Sequence, residues 1–412
     1  MAIIFVPDDH ATISLAIAAA SDGDEIQVKS GDYPESVLID SLTGITITGV
    51  DMGTGYPKIS PAAKTHPAYD CASVIVRNSG HITLNNLVMN NAVVGETNYG
   101  VLVRASSDIV IQNVETTLLK SGIILQAEGV NTCQRVVINN CNVHDLTYAI
   151  LSEGIGIDDQ AATESDITIT NNIFANLQYG IGMNPRDAVG VVGKYVITGN
   201  VFDTVSQIGL AVECNEGGGT NTATVLAYHN NFIDNLVANM HFSETTVKSI
   251  LNTASPQNYC WKTIARLGVV GNYYSTHVGV DVNDDGIFDN TEIVSAHHID
   301  NSPLFHEWGT EYSNCQRIHG YVYNASETKS DNVPVPMAGV SVTATDSATG
   351  VTQTAITNAS GYYYFASPPI GESILLSADV NGFIITQTKK AVELISNHSV
   401  DFYLWSVRKY AM

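Results

Sequence analysis

Apolar and polar residues alternate in a short phrase that returns through more than half of the chain. Each copy places a glycine or another small residue before apolar positions; the copies span 99–104, 121–126, 148–153, 179–184, 208–213 and 238–243. A second phrase alternates in the same way and ends in asparagine, as at 82–86, 109–113, 136–140 and 167–172. A period of two residues indicates strands rather than helices. The chain is therefore predicted to repeat one unit of short strands about every 30 residues.

The residues between the strands indicate how successive units connect. Asparagine and glycine stand at these positions, and both tolerate the left-handed backbone that tight corners need. Identical corners in stacked units also allow asparagine side chains to hydrogen-bond from one unit to the next. These features predict an all-β fold, a right-handed parallel β-helix in which each repeat forms one rung.

Side-chain directions in the first phrase follow from the alternation. The first and third residues after the glycine position are apolar and are predicted to face the core. The fourth is predicted to face outward, which gives an exposed ladder of Arg104, Gln126, Glu153, Asn184, Glu213 and Ser243. Rungs stack about 4.8 Å apart, so Glu153 and Glu213 are predicted to lie two rungs, or about 10 Å, from each other.

The N-terminal segment predicts a cap on this array. Residues 8–22 have an amphipathic pattern with acidic residues at its start, which predicts a short helix over the open apolar end. Residues 23–33 then follow the spacing G-D-x-I-x-V-x-x-G-x-Y. This segment resembles the first coil of pectin-lyase-like β-helix proteins, and the resemblance continues through the asparagine ladder to about residue 305. It implies a single-stranded right-handed β-helix but no one activity, because the fold hosts lyases, hydrolases, epimerases and non-enzymatic spikes.

Two further resemblances concern the C-terminal part. Residues 271–304 resemble the closing coil of the NosD-like periplasmic copper-protein family, which is frequent in archaeal surface proteins, although Tyr274 stands where that family usually has tryptophan. No cluster of copper ligands accompanies the resemblance. After a linker at 306–316, residues 317–412 resemble the carboxypeptidase-regulatory-like β-sandwich, and their strands and turns predict a sandwich independently. The predicted domains are thus a β-helix at 1–305 and a β-sandwich at 317–412.

A calcium-type loop occupies residues 281–292. It matches the pattern D-x-[DN]-x-[DN]-G-x5-E at every defined position. Oxygen atoms of the side chains, together with one backbone carbonyl, are predicted to bind Ca²⁺; the ligands are Asp281, Asn283, Asp285, Ile287 (carbonyl), Asp289 and Glu292. The flanking residues do not resemble EF-hand helices, so the ion is predicted to stabilise structure. An acidic surface loop without an ion is the alternative.

Carboxylates of the outward ladder and its neighbours are the candidates for catalysis. The predicted separation of Glu153 and Glu213 is at the upper edge of the range for an inverting pair of carboxylates, about 6.5–9.5 Å. The other candidates follow nearby in sequence: Asp158, Asp159, Arg186 and Asp187. A lyase would instead need a base and a cation that neutralises a uronate. Because outward positions of any solvated sheet are polar, a non-catalytic face is the favoured interpretation.

The composition of the chain excludes some classes of binding partner. The chain has 412 residues with a formal net charge of −23, which argues against nucleic acid and anionic membranes. The sequence contains no run of eighteen apolar residues, so no transmembrane helix is predicted. Residues 1–7 lack the features of a signal peptide. The six cysteines permit three disulfides. A bridge between Cys133 and Cys141 and free buried thiols both stay open.

Two classes of function fit these features. One is a structural or adhesive surface protein, and the other is a polysaccharide-active enzyme, a glycoside hydrolase or lyase, that uses the β-helix groove. The chain combines domains typical of extracellular proteins with a start that lacks an export signal. This combination favours a virion protein, because cell lysis releases virions without secretion. Removal of a signal peptide from the sequence is the alternative. We therefore expect a virion spike, fibre or capsid-vertex decoration protein. The resemblance of the closing coil to archaeal surface proteins indicates an archaeal virus. Its expected partners are cell-surface polysaccharide or glycoprotein, other virion proteins and further copies of itself, in a trimer or another cyclic homo-oligomer.

Overall fold

The structure is a computed structural model. It describes residues 2–61, 71–90, 98–128, 131, 133–146, 153–158, 166–183, 192–212, 222–242, 247–261, 264–295, 297–309, 312–313, 318–328, 334–346, 352–365, 373–379, 383–385, 389–392, 398–399 and 402–406. The chain forms two compact units, one of residues 1–256 and 269–308 and the other of residues 257–268 and 309–412.

Three parallel sheets wind around one core in the first unit. Sheet 1 contains Ile3–Val6, Glu25–Lys29, Thr46–Val50, Gly80–Asn85, Ser107–Gln112, Gln134–Asn139, Asp166–Thr170, Val192–Thr198, Thr222–Tyr228 and Val247–Ile250. Sheet 2 contains Asp32–Tyr33, Lys58–Ile59, Val88–Asn90, Glu115–Thr117, Asn142–His144, Ile173–Ala175, Val201–Asp203, Asn231–Ile233 and Tyr273–Tyr274. Sheet 3 contains Val37–Asp40, Cys71–Arg77, Asn98–Arg104, Ser121–Gln126, Glu153–Asp158, Tyr179–Met183, Ile208–Val212 and Ala238–Phe242. Each coil visits the sheets in this order, so the predicted parallel β-helix is confirmed.

The alternation of side chains explains the core. In sheet 1, Ile109 pairs with Val136 and Ile111 with Ile138, and all four side chains are fully buried. Their outward neighbours are half-buried, as expected for one solvated face. In sheet 2, an aromatic column of Phe174, Phe202, Phe232 and Tyr274 stacks with centroid separations of 5.0, 4.8 and 5.5 Å. Neighbouring rungs therefore bury like residues against like.

The α-helix Ile13–Ala19, the one helix among the residues that the structure describes, caps the N-terminal end of the coil. Thr12 is its N-cap and accepts a hydrogen bond from Leu15 N, which satisfies one of the free amide groups of the first turn. The helix buries Ile13, Ala16 and Ile17. It is shorter than the predicted segment 8–22, because the capping threonine starts the helix after the acidic residues.

Asparagine ladders hold the corner between sheets 1 and 2. Asn113 and Asn140 adopt left-handed backbone and hydrogen-bond along the outside of the corner, with Asn140 Nδ2 2.6 Å from Asn113 Oδ1. A second ladder lies inside the corner and is buried. In it, the side-chain oxygen of every member after the first accepts from the backbone and side-chain nitrogens of the member one coil earlier. Its members are Asn172, Asn200, Asn230, Asn272 and, at the end, Asp300.

A column of glycines at the start of the sheet 3 strands corrects one sequence alignment. A Cβ at Gly122 would lie 2.6 Å from Gly154 O, and a Cβ at Gly154 would lie 2.5 Å from Gly180 O. An alanine does not fit in this column, so the third copy of the phrase is the strand Glu153–Asp158 rather than residues 148–153. The assignment of Glu153 to the fourth, outward position was therefore wrong. Asp158 holds that position, beside Gln126.

The last coil closes around residues 273–305. Leu304 pairs with Tyr273 and with Ile287, and Phe305 N donates to Gly286 O at 2.9 Å, which ties the calcium-type loop to the end of sheet 2. A short antiparallel hairpin joins Glu292–Ser295 to His298–Asp300.

The cysteines Cys133 and Cys141 are both buried and free. Of the two alternatives for this pair, a disulfide bridge and free buried thiols, the structure has the second.

The second unit consists of antiparallel and mixed sheets. A three-stranded sheet contains Ile264–Gly268, Gln257–Trp261 and Tyr312–Ser313. A six-stranded sheet contains Pro334–Pro336, Ile318–Thr328, Phe402–Ser406, Phe383–Ile385, Tyr362–Phe365 and His398–Ser399, and a four-stranded sheet contains Thr352–Ile356, Ser341–Asp346, Ser373–Asp379 and Lys389–Val392. Val322 and Phe365 of the larger sheet share one buried cluster with Val342 and Leu376 of the smaller, so these two sheets form a sandwich.

Candidate functional site

The outer face of sheet 3 changes character halfway along the coil. Its central row begins with the apolar residues Ile75, Leu102 and Ile124, which are nearly inaccessible although they point away from the main core. The next two rungs carry Gly156 and Gly182 in this row. Because glycine has no side chain, the row is interrupted by a recess over two rungs, which we call the glycine recess.

The carboxylate of Glu153 lies in the glycine recess. A Cβ at Gly182 would lie 2.7 Å from Glu153 Oε1, and a Cβ at Gly156 would collide with Glu153 Oε2. Glu153 itself is half-buried and stands next to Tyr179 across the strand pair. The two glycines are thus required for this position of the carboxylate. The sequence signal for them is the second glycine in each of the phrases Glu-Gly-Ile-Gly (153–156) and Tyr-Gly-Ile-Gly (179–182).

The connections around sheet 3 are long. From Gln126 to Thr222, each link from sheet 3 to sheet 1 has seven to nine residues, whereas two residues link sheet 1 to sheet 2 in the same coils. Long connections at one edge of a sheet are where binding residues of a rigid scaffold are usually found.

Of the predicted catalytic residues, the structure describes Glu153 and the backbone of Asp158. Glu153 and Asp158 stand at opposite ends of one strand, which at about 3.3 Å per residue separates their Cα atoms by roughly 16 Å. The remaining candidates lie outside the described residues: Asp159, Arg186, Asp187 and Glu213, as do Asn184 and Ser243 of the predicted ladder.

An ion-pair cluster at the N-terminal half of the same face was not predicted. Arg77 donates from Nε and Nη2 to the carboxylate of Glu128, at 2.7 and 2.6 Å, and its Nη1 lies 3.5 Å from Asp40 Oδ2. The hydrogen bonds from Arg77 lower the pKa of Glu128, and the charge of Arg104 adds to the effect. Asp40, Arg77 and Arg104 are consecutive in the strand register, so the cluster follows from rung stacking.

The calcium-type loop is folded around its first oxygen ligands. Asp285 N donates to Asp281 Oδ1 at 3.0 Å and to Asn283 Oδ1 at 3.2 Å, and Gly286 N donates to Asp281 Oδ2 at 2.8 Å. The side-chain oxygens at the first two ligand positions therefore converge on one turn, and that turn passes through Gly286 at a φ of 88°. Oxygen atoms gathered in this way suit a hard cation such as Ca²⁺.

The later ligand positions are held differently. Asp289 Oδ2 accepts from Val282 N at 2.7 Å, and Glu292 Oε2 accepts from His277 Nδ1 at 2.5 Å. Glu292 could complete a calcium shell only with Oε1 or after leaving the nearly buried His277. In the described part of the chain, no three or more His, Cys, Asp or Glu side chains are grouped so as to hold a metal ion.

No described helix has the length and apolar character that crossing a membrane requires. No protein-family model matches the chain, and no curated protein sequence matches it.

Solved structures do resemble the chain. An alginate lyase from Paenibacillus sp. str. FPU-7 has 14% sequence identity and a TM-score of 0.39, with 60% of this chain and 99% of that chain covered. The pectate lyase Pel9A has 12% identity and a TM-score of 0.38, with 60% and 78% covered. A PL6 alginate lyase in complex with a trisaccharide has 13% identity and a TM-score of 0.39, with 72% and 65% covered. These neighbours are pectate- and alginate-lyase-like parallel β-helix proteins, while the fold of this chain rests on its own strand register.

Proposed function

We propose that this chain is a structural or adhesive surface protein whose β-helix binds glycan at the outer face of sheet 3. The observation that carries the proposal is the Glu153 carboxylate in the glycine recess. A carboxylate accepts hydrogen bonds from sugar hydroxyl groups, and the missing side chains at Gly156 and Gly182 let the Glu153 carboxylate lie flat on this face, where a ligand above the sheet can reach it. The half-buried Tyr179 beside Glu153 offers an apolar ring face and a hydroxyl group.

The setting that we propose for this protein is the surface of a virion. There it would serve as a spike, fibre or capsid-vertex decoration protein, in contact with other virion proteins. The resemblance of residues 271–304 to a NosD-like closing coil supports an archaeal virus, and that of residues 317–412 to a carboxypeptidase-regulatory-like domain supports an exposed terminal module. Immunogold labelling of particles released from the source culture tests the setting. Label on virus particles is expected, and label confined to the cell surface would contradict it.

Glycan binding is tested with Glu153→Gln, which keeps the shape of the side chain and removes its charge. Hydrogen bonds to a charged group contribute about 1.5–3 kcal/mol, so affinity for host-surface polysaccharide should fall about tenfold or more. Biolayer interferometry on immobilised polysaccharide measures the change. The matched control is Glu25→Gln on the outer face of sheet 1, which should bind like the unchanged protein. If both variants lose affinity equally, the glycine recess is not part of the glycan-binding site.

A polysaccharide hydrolase or lyase that uses the same groove is the alternative function. The alternation of the strand favours binding over catalysis, because it places the backbones of Glu153 and Asp158 at opposite ends of Glu153–Asp158. Incubation of the protein with host polysaccharide distinguishes the two functions. Release of reducing ends, or an absorbance of unsaturated uronates that Glu153→Gln abolishes, would establish an enzyme instead.

We also propose that the loop at 281–292 binds Ca²⁺ and stabilises the end of the β-helix. The convergence of Asp281 and Asn283 oxygens on Asp285 N supports it. Calcium should raise the Tm by about 5 °C at saturation, and a chelator should reverse the rise. Asp285→Asn should weaken calcium binding in titration calorimetry, whereas Asp51→Asn, in an exposed turn elsewhere, should not. An identical Tm with calcium and with chelator would refute the proposal.

A further inference from the structure

The outer face of sheet 1 carries a row of charges with alternating sign. The strand register places Asp108, Arg135, Asp166 and Lys194 side by side on four consecutive rungs. Arg135 binds the carboxylate of Asp108 through Nε and Nη2, both at 2.7 Å, and these hydrogen bonds lower the pKa of Asp108 to about 2. Asp166 and Lys194 are exposed. The row therefore reads negative, positive, negative, positive.

Two more rows run beside the charged one. The middle row is mainly apolar and half-buried; its members are Thr83, Val110, Val137, Thr168, Val196 and Leu226. The third row is polar and consists of Asn85, Gln112, Asn139, Thr170, Thr198 and Tyr228. A shallow depression lies over the centre of the face and is lined by Arg135, Val137, Asp166, Thr168, Lys194 and Val196.

The row of charges is complementary to a second copy of the same row that runs in the opposite direction. Read backwards, the row becomes positive, negative, positive, negative, so a second copy turned end to end presents the opposite sign at every rung. A two-fold axis parallel to the strands, between the rungs of Arg135 and Asp166, performs this reversal. It sets Arg135 opposite the second copy's residue 166 and Asp108 opposite its residue 194. Such isologous contacts are the usual form of a homodimer interface.

The same axis matches the other two rows. In the middle row it sets Val137 opposite residue 168 of the second copy and Val110 opposite residue 196, which joins apolar or β-branched side chains. In the third row it sets Asn139 opposite residue 170 and Gln112 opposite residue 198, so amides face threonine hydroxyls that can hydrogen-bond to them. One operation thus satisfies charged, apolar and polar rows together.

We propose that the outer face of sheet 1 binds a second copy of this chain in this antiparallel, two-fold arrangement. Eight strands of sheet 1 overlap about the axis, and with strands about 4.8 Å apart and five residues of about 3.3 Å each, one face covers roughly 550 Å². The dimer would then bury roughly 1,100 Å² in total, at the lower end of specific interfaces. A reversible dimer with strong dependence on ionic strength is expected.

Charge reversal tests the arrangement by sedimentation velocity of the full chain. Lys194→Glu places like charges opposite each other at two symmetric points and should raise the dissociation constant of the dimer tenfold or more. The matched control is Lys248→Glu, an exposed lysine on the same sheet with no acidic residue opposite it under the proposed axis. It should dimerise like the unchanged protein, and all variants should first be shown to keep the thermal unfolding transition.

A mixing experiment gives the sharper outcome. Asp108→Lys alone should also fail to dimerise, but an equimolar mixture of Asp108→Lys and Lys194→Glu restores both opposite-charge contacts and should form heterodimers. An unchanged protein that stays monomeric at about 100 µM and low salt would overturn the proposal. Equal dimerisation of the Lys194→Glu and Lys248→Glu variants would overturn it as well, because the interface would then lie elsewhere.

Discussion

Substitution of Asn200 by alanine probes the buried ladder that holds the corner between sheets 1 and 2. Asn200 Oδ1 accepts from Asn172 N and from Asn172 Nδ2, each at 2.9 Å. Its Nδ2 donates to Ile169 O at 2.9 Å and to Asn230 Oδ1 at 3.0 Å. The side chain is fully buried, so water cannot replace these contacts without opening the corner.

The magnitude follows from which groups keep another partner. Asn172 Nδ2 still reaches Ile138 O, and Asn230 Oδ1 still accepts from the backbone N of residue 200, so each of these losses costs about 1 kcal/mol. Asn172 N loses its side-chain acceptor inside the protein, which costs about 1–3 kcal/mol. With about 1 kcal/mol more for the lost donor to Ile169 O, the free energy of unfolding should fall by about 4–6 kcal/mol.

Denaturant unfolding, followed by circular dichroism, measures the loss. Asn139→Ala is the matched control, because its side-chain oxygen accepts from Thr170 and Asn171 on the outer, partly solvated side of the same corner. In dilute, monomeric protein that variant should lose no more than about 1 kcal/mol, since water can replace the contacts. If the two variants differ by less than about 1 kcal/mol, the buried ladder does not stabilise the coil in the way argued.

Two further changes test the glycine column and the end of the ladder. Gly180→Ala should destabilise the protein by about 1–3 kcal/mol in thermal unfolding, because its Cβ would meet Phe202 and the next rung, whereas Gly80→Ala, with 3.8 Å of clearance, should have little effect. Burial raises the pKa of Asp300 to about 6, above that of the unfolded chain, so its stabilising contribution is present below about pH 4 and lost as the pH rises through 6. The unfolding free energy of the unchanged protein should therefore drop by about 2–3 kcal/mol relative to Asp300→Asn between pH 4 and pH 6, and parallel pH profiles would contradict this assignment.

The sequence predicted the coil because its signals are local. Alternating residues fix which side chains face inward, and asparagine at the corners permits left-handed backbone, as at Asn113 and Asn140. Neither signal depends on contacts between distant residues. The capping helix, the parallel sheets and the small C-terminal sandwich could therefore be predicted.

Alignment between rungs depended on contacts that only the folded chain makes. Residues 148–153 and 153–158 both fit the phrase as written, and only the clash of a Cβ with the carbonyl of the next rung selects Gly154. That shift moves Glu153 from the outward ladder into the glycine recess. It also gives the fourth position of the phrase, next to Gln126, to Asp158.

The sequence by itself thus determined the repeat, the parallel β-helix and the oxygen-rich loop at 281–292, since each is written in residues close together in the chain. The tertiary structure decided which residues share a face: Glu153 with Gly156 and Gly182, Arg77 with Glu128, and the alternating charges of sheet 1. The physical reason is that residues about 30 positions apart become neighbours about 4.8 Å apart only through the register of stacked rungs, and one misplaced residue changes every such pair.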